Sequence, residues 1–370
     1  MRDQIGNELN GDVGVLRLGA RRDGQPLVAF ALGGLGGSNA HGAGFLQAAR
    51  MQGLKPDLIT CSSGQMHWAA AFLQGKDLPA LLDQHVDLVK EYPESLKPLS
   101  TLMLTLVGLP GVFRPSWHDA FTSMIGRPPP LSFREFLDMV LPARQMVPTR
   151  NPSFFKEISD CFNGETDTGV IFNSYNPVEG KEYVHLNQKA LEITGWHYGY
   201  RYGRREVRPI TPEYVEAGLW LMLYGFEKQF HGEYIVDGAY FRGTLLTECL
   251  RADTVFVPRA LSKSWVGPLP KNFLEVMDFW TELLFQGTYA AELHAVGLVN
   301  EEVAAGRNGL LAEWANNKPV ELVEIEVAVQ RGFFDYFTES KEVFNRAVAD
   351  STPRIRQWRQ NWAARQAVAT

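Results

Sequence analysis

The chain has 370 residues, 45% of them apolar and 21% charged, with a formal net charge of −6. These are globular values with ample material for a buried core, and the acidic balance, with a pI near 5.8, argues against a general phosphate-binding surface, so no nucleic-acid partner is expected. Three cysteines (Cys61, Cys161, Cys249) without a CxxC spacing predict neither a disulfide framework nor a zinc site. The start, MRDQIGNELNGDVG, lacks the basic and apolar regions of a signal peptide, and no run of 18 apolar residues occurs. The expectation is a cytoplasmic chain in a reduced compartment.

Residues 1–24 are polar and read as an irregular lead-in. Leu27 to Leu32 is a short continuous apolar run, the pattern of a strand buried on both faces. Five glycines follow (Gly33, Gly34, Gly36, Gly37, Gly42), then a helix over Gly44 to Gly53. Asp57 to Cys61 reads as the next strand and Met66 to Leu73 as the next helix, closed by Gly75. Strand, helix, strand, helix at this spacing predicts right-handed crossovers and a mostly parallel sheet covered on both faces.

Residues 78–165 are rich in Leu, Met, Pro and Phe with few strand signals, and read as a helical insertion. Its most apolar stretch, LSTLMLTLVGLPGVF (99–113), is either a buried helix or a lid or acyl-chain cavity opening at a lipid surface. The sheet pattern returns at 168–176 and 182–187, a hairpin-like pair around NPVEGK. A helix near 212–226, a strand ending at Asp237, a helix over 244–251 and a strand over 253–258 come next. The tail carries amphipathic helices and one alternating strand at 321–329. The segment RIRQWRQNWAARQ (354–366) is amphipathic, with Trp358 and Trp362 four apart. It reads either as a terminal helix packing its tryptophans on the body or as an anchor for anionic lipid.

A nucleophilic serine works best on a tight turn between strand and helix, where its hydroxyl is exposed and the helix N-terminus supplies amides. DLITCSSGQMHWAAAFL has that order. A Ser-Ser-Gly turn alone is more often a helix cap, so the weight rests on what accompanies it. The upstream glycine loop exposes backbone N–H groups suited to an oxyanion. It lacks a clean G-x-G-x-x-G unit or a Walker lysine, which argues against a nucleotide. Asp237, between YIV and Gly238, stands where a sheet delivers catalytic groups, at the carboxyl edge of its strands. His67 lies one turn after Ser63 and points along the helix rather than across the site, and His41 and His231 read as loop residues.

These segments resemble the patatin-like phospholipases, serine acyl hydrolases with a Ser-Asp dyad and no catalytic histidine. GLGGSN (34–39) lies on the family's GGGxRG and GAGFLQAA (42–49) on its HxGVLxAL helix. DLITCSSGQ (57–65) lies on the strand and GxSxG, and VDGAYFRGTLL (236–246) on the DG[GA] segment. IFNSYN (171–176) sits where the family has a central strand, and the resemblance covers roughly residues 25–345. The chain departs from the pattern at Leu35, at Ser38 in place of the loop arginine, and at Cys61 and Gln65 in place of both elbow glycines. The ungapped match makes Ser63 the nucleophile; a one-residue shift makes it Ser62 and restores Gly64 as an elbow glycine.

The resemblance implies an α/β fold, a three-layer α/β/α sandwich with a mostly parallel central sheet, over 25–345, followed by a C-terminal amphipathic helix over 346–370. It implies that Asp237 activates Ser63, with Ser62 the alternative, and that amides of Gly34, Gly36 and Gly37 hold the oxyanion, with no metal or organic cofactor. The implied substrate is a lipid or other acyl ester, with peripheral membrane contact as a further possibility. A fold that has lost the chemistry, serving lipid binding or protein interaction, and an acyltransferase or thioesterase using the same serine are the alternatives. Oligomeric state is not legible in the sequence.

Overall fold

The computed structural model describes residues 26–34, 39–89, 108–109, 111–116, 132–140, 143–264, 269–307, 309–327 and 340–369. The predicted lead-in, Gly36, Gly37, Ser38 and most of the 99–113 stretch lie outside the described residues.

The architecture is α/β, built on a mixed, mostly parallel sheet. Strands β1 (Val28–Leu32), β2 (Leu58–Cys61) and β5 (Gly169–Asn176) run parallel, and β10 (Thr254–Arg259) and β11 (Glu321–Glu326) continue the parallel set on the other side of β1. Beyond β5 the sheet turns mixed, through β6 (Lys181–Leu186), β8 (Arg205–Pro209) and β7 (Arg201–Tyr202). The hairpin-like pair read from NPVEGK is β5–β6, antiparallel from Ile171↔Leu186 to Asn176↔Lys181. Strands β3 (Phe113–Pro115) and β4 (Met146–Pro148) form a separate antiparallel pair inside the region read as helical.

Two cores follow from the strand period of two. Val28, Phe30 and Leu32 face one; Ala29 and Ala31 face the other. The first is filled by α1 (Ala40–Met51) and α2 (Gln65–Leu73), by Leu78 and Leu82 of α3 (Leu78–Val89), and by α5 (Pro152–Asn163), which follows α4 (Phe133–Val140) in the insertion. The second takes Ala190 and Leu191 of α6 (Gln188–Thr194), Leu245 to Leu250, and Tyr289, Val296 and Val299 of the long helix α8 (Phe273–Ala304). The first core also receives Tyr214 and Val215 of α7 (Pro212–Ala217), and short α9 (Leu310–Trp314) precedes β11.

The last helix, α10 (Ser340–Ala369), packs along α1 and is continuous across the 345/346 boundary drawn from sequence. Trp358 is buried, its Nε1–H donates to Thr254 Oγ1 at 3.2 Å, and its ring meets Phe256 edge-on at 5.2 Å. Trp362 stacks on Trp358. Among the described residues no helix is long and apolar enough to cross a membrane.

Two predicted helices are shorter in the structure. The 212–226 segment keeps α7 and a 3-10 turn at Met222–Tyr224; the 244–251 segment keeps only a 3-10 turn at Thr247–Cys249. In the second, Glu292 Oε2 accepts the amides of Leu246 and Thr247 at 2.9 and 3.0 Å, donors that a helix beginning at 244 would leave unpaired.

Trp358→Ala removes a large core side chain and is expected to lower stability by about 3–5 kcal/mol in chemical denaturation. A loss below about 1 kcal/mol would place α10 outside the cooperative body.

Candidate functional site

β2 ends at Cys61 and the chain turns through Ser62, Ser63 and Gly64 into α2. The turn is closed by Gln65 N–H to Ser62 O (3.2 Å) and Met66 N–H to Ser63 O (3.1 Å), and tied to β1 by Ser62 N–H to Leu32 O (3.2 Å). Ser63 has φ 54°, a left-handed conformation that costs a non-glycine residue of order 1 kcal/mol. Such strain in a strand-to-helix turn lifts one side chain out of the regular alternation.

The two serines have different surroundings. Ser62 continues the β2 alternation toward the second core and is fully buried. Its hydroxyl donates to Asn173 Oδ1 at 2.9 Å. Ser63 is also buried but aims elsewhere, its side chain acting on the Asp237 carboxyl and lowering its pKa.

Asp237 reaches this point by a strand pairing the sequence did not suggest. It ends the two-residue strand β9 (Val236–Asp237), antiparallel to β5, rather than a strand of the parallel set. One edge of β5 is occupied by β6; the other is used by β2 only as far as Cys61↔Phe172. β9 takes over that edge at Ser174↔Asp237, just past the point where β2 stops and the serine turn begins. The Asp237 amide donates to Trp220 O at 2.9 Å, and its Oδ1 accepts the Ala239 amide at 2.9 Å. Burial raises the Asp237 pKa to about 7, against the lowering influence of the Ser63 and Ala239 hydrogen bonds. Tyr224 and Tyr240 border the same carboxyl and are themselves pushed up, by burial first and then by the charge of Asp237.

Asn173 joins the two halves. Its Nδ2 donates to Glu182 Oε1 (2.8 Å) and to the Arg242 carbonyl (3.1 Å), and Gly238 packs so closely on its amide that a Cβ there would lie 2.4 Å from Cγ. Behind it lies a buried ion cluster. Arg242 contacts Glu182 (3.0 Å), Glu248 (2.6 Å) and Glu292 (3.1 Å), and Arg205 contacts Glu182 at 3.2 Å. Three glutamates against two arginines leave one carboxylate in excess. The Glu182 pKa is the one that rises, burial outweighing Arg242 and repulsion from Glu248 adding to it.

Gly34 lies against the serine turn: a Cβ on it would stand 2.7 Å from both Ser62 O and Ser63 Cβ. Its amide donates to Gly243 O at 2.9 Å, so this N–H is already engaged and is not a free oxyanion donor in this conformation. Gly36 and Gly37 lie outside the described residues. Cys61 and Gln65, which stand where the resemblance expects glycines, have a packing explanation. Cys61 belongs to the first core. The Gln65 side chain occupies the space left by Gly42, where a Cβ would meet it at 2.2 Å, and its Nε2 donates to Gly33 O (3.3 Å) and Asn39 O (3.4 Å).

Three histidines near these segments have other partners. His41 is buried, lowered to about 4 by desolvation, and its Nε2 contacts Gly33 O at 3.1 Å. His67 packs on Trp68 and Phe154, and His231 pairs with Glu213. Among the described residues no group of three His, Cys, Asp or Glu is arranged to hold a metal. Asn173, Tyr224 and the ion cluster were not read from the sequence. Only Asn173 left a signal, as the first polar residue after the apolar VIF run of β5.

No protein-family model matches the chain, and no curated protein matches it.

Asn173→Ala would strand the Ser62 hydroxyl and the Arg242 carbonyl and leave Glu182 Oε1 with only its Arg242 partner; a loss of about 2–4 kcal/mol is expected in denaturant unfolding. Asp237→Asn tests the buried carboxyl. Wild-type Asp237 holds its proton through the window from about 3.8 to about 7, in which an unfolded aspartate loses it. Its contribution to stability therefore falls as pH rises through that window and stays low above it. The melting temperature of Asp237→Asn should gain steadily on wild type from pH 4 to about pH 7 and level off above it; a constant offset throughout would mean an ordinary carboxyl.

Proposed function

We propose that the protein is a serine-dependent acyl-ester hydrolase with a patatin-like three-layer α/β/α sandwich, in which Ser63 is the nucleophile and Asp237 its base. The observation that carries this reading is that the Ser63 side chain, set by a left-handed turn, acts on the Asp237 carboxyl, while the Ser62 hydroxyl is committed to Asn173. A carboxyl titrating at about 7 is matched to proton transfer near neutral pH. A carboxylate with the usual pKa would be a weaker base for a serine hydroxyl.

In the proposed mechanism Asp237 accepts the Ser63 proton as Oγ attacks the ester carbonyl. The tetrahedral intermediate carries its negative charge on the former carbonyl oxygen. The Gly64 amide, directly after the nucleophile at the start of α2, is at the position that serves this oxyanion in strand–turn–helix serine sites. Gly36 and Gly37 remain the loop donors implied by the resemblance. Collapse expels the alcohol, which takes its proton from Asp237. Water, deprotonated by the same carboxylate, then releases the acid and restores the serine. With another alcohol or a thiol in place of water the same acyl-enzyme would transfer its acyl group, and product analysis separates the two.

A fluorophosphonate probe is expected to label wild type and Ser62→Ala but not Ser63→Ala. For a short p-nitrophenyl ester, kcat/KM should rise with pH to a plateau above about 7. Asp237→Asn should lower the plateau by about 10²–10⁴-fold. Labelling that survives in Ser63→Ala and vanishes in Ser62→Ala would move the chemistry to the neighbouring residue. No labelling of wild type would leave a fold without this activity.

A further inference from the structure

Arg150 lies between β4 and α5, half-buried, with its guanidinium over the Phe154 ring at 4.5 Å. Among the described residues no carboxylate lies within ion-pair distance of it, whereas Arg205, Arg208 and Arg242 each pair with glutamate. The contrast extends to titration. Burial lowers the Arg150 pKa, whereas Arg242, despite burial, is raised by Glu182, Glu248 and Glu292. A guanidinium taken partly out of water without a counter-charge is costly, and its donors stay free for an anion from outside the chain.

Tyr224 supplies a second uncommitted donor. It is only 4% exposed, and among the described residues its hydroxyl makes no hydrogen bond. Burial raises its pKa, so it keeps its proton at neutral pH, and the charges of Arg150 and Asp237 both act on it.

Packing brings this pair to the dyad from two sides. Phe154, under the guanidinium, meets His67 at 5.3 Å, on the first turn of α2 just after the serine turn. Phe113, whose partner in β4 is Pro148, meets the Tyr224 ring at 6.3 Å. Trp220, 5.2 Å from the same ring, accepts the Asp237 amide. Tyr224 thus stands between the two charges, and Arg150 is not among the groups that perturb Asp237. A cation at the reacting carbonyl would depress that carboxyl, so Arg150 is placed for a second group of the substrate, on the far side of Tyr224 from the chemistry.

Charge and shape select that group. One guanidinium brings a single positive charge in a planar fork, the match for a carboxylate. A phosphate monoester carries about 1.5 to 2 negative charges at neutral pH, and the excess would lie uncompensated near Asp237.

The geometry points to Arg150 and the Tyr224 hydroxyl as a carboxylate subsite beside the dyad, so that the substrate is an ester carrying a free carboxylate apart from its scissile group. The inference rests on the reading of Ser63 as nucleophile and Asp237 as its base. The carboxylate then supplies binding energy away from the reacting centre.

The first readout is a ratio: kcat/KM for mono-p-nitrophenyl adipate over that for p-nitrophenyl hexanoate, two esters of equal chain length. A carboxylate on the alcohol side is read the same way, with 3-acetoxybenzoate over phenyl acetate. In at least one pair the ratio is expected to fall at least tenfold in Arg150→Gln, to fall in Tyr224→Phe, and to recover in part in Arg150→Lys. A merely structural loss would lower both esters of a pair alike. Thermal unfolding identifies a variant that fails to fold, and Tyr224→Phe, which deletes one oxygen, keeps the test open if Arg150→Gln does. The second readout is equilibrium binding of monomethyl adipate to Ser63→Ala, expected to weaken at least tenfold when Arg150→Gln is added. Ratios left unchanged in both pairs overturn the inference, as does tighter binding of inorganic phosphate than of monomethyl adipate. If wild type cleaves no ester, the hydrolase reading fails on its own and binding decides the subsite. Weakening in Arg150→Gln then supports it, and absent or unaffected binding overturns it.

Discussion

One primary amide fixes the geometry on which the site depends. Both Nδ2 hydrogens of Asn173 are used, on Glu182 Oε1, which also accepts from Arg242 Nε, and on the Arg242 carbonyl, which cannot donate in return. The amide therefore cannot flip, and Oδ1 must face Ser62, whose hydroxyl has to be the donor. This assigns the Ser62 proton to a structural bond and leaves the adjacent residue to present its oxygen differently. The same side chain packs on Gly238, so the serine turn and the aspartate loop are referenced to a single point on β5. Hydrogen bonds to charged groups contribute about 1.5–3 kcal/mol each, enough to hold a turn strained at Ser63.

The electrostatics separate into two buried environments on opposite sides of that amide. On one side Arg242 and Arg205 overcome the burial penalty and hold Glu248 down to about 2. On the other, Asp237 is given hydrogen bonds but no arginine among those that perturb it, and burial prevails. A cation from the cluster beside Asp237 would lower its pKa and weaken it as a base. The ion cluster thus braces the loop carrying the aspartate without neutralising it. It acts through the backbone, through the Leu246 and Thr247 amides on Glu292 and the Arg242 carbonyl on Asn173.

The start of α2 follows the same physical logic. The Gln65 side chain needs room there, and Gly42 on α1 provides it. Gly34 cannot be given a side chain, because its neighbours are a backbone carbonyl and the Cβ of Ser63, neither able to move without moving the turn. Its amide bond to Gly243 straps the glycine loop to the segment following Asp237, so three chain regions share one small contact.

Continuous apolar runs and glycine punctuation were enough to read β1, α1, β2, α2, β5, β6 and β10 in order, because strands buried on both faces must be apolar throughout. The same local patterns singled out Ser62, Ser63 and Asp237. They could not read β7 and β8, which are short and polar, the β3–β4 pair, or the shortening of 244–251 to one turn. Nor could they choose between the serines. That choice belongs to β5, whose edge is shared in succession by β2 and β9 so that Asp237 arrives beside Ser63 while Asn173 captures Ser62. Local sequence determines which segments bury themselves as strands and where the chain must turn. Which two polar groups meet is decided by long-range pairing, since a hydrogen bond depends on the position of both partners and each segment encodes only its own.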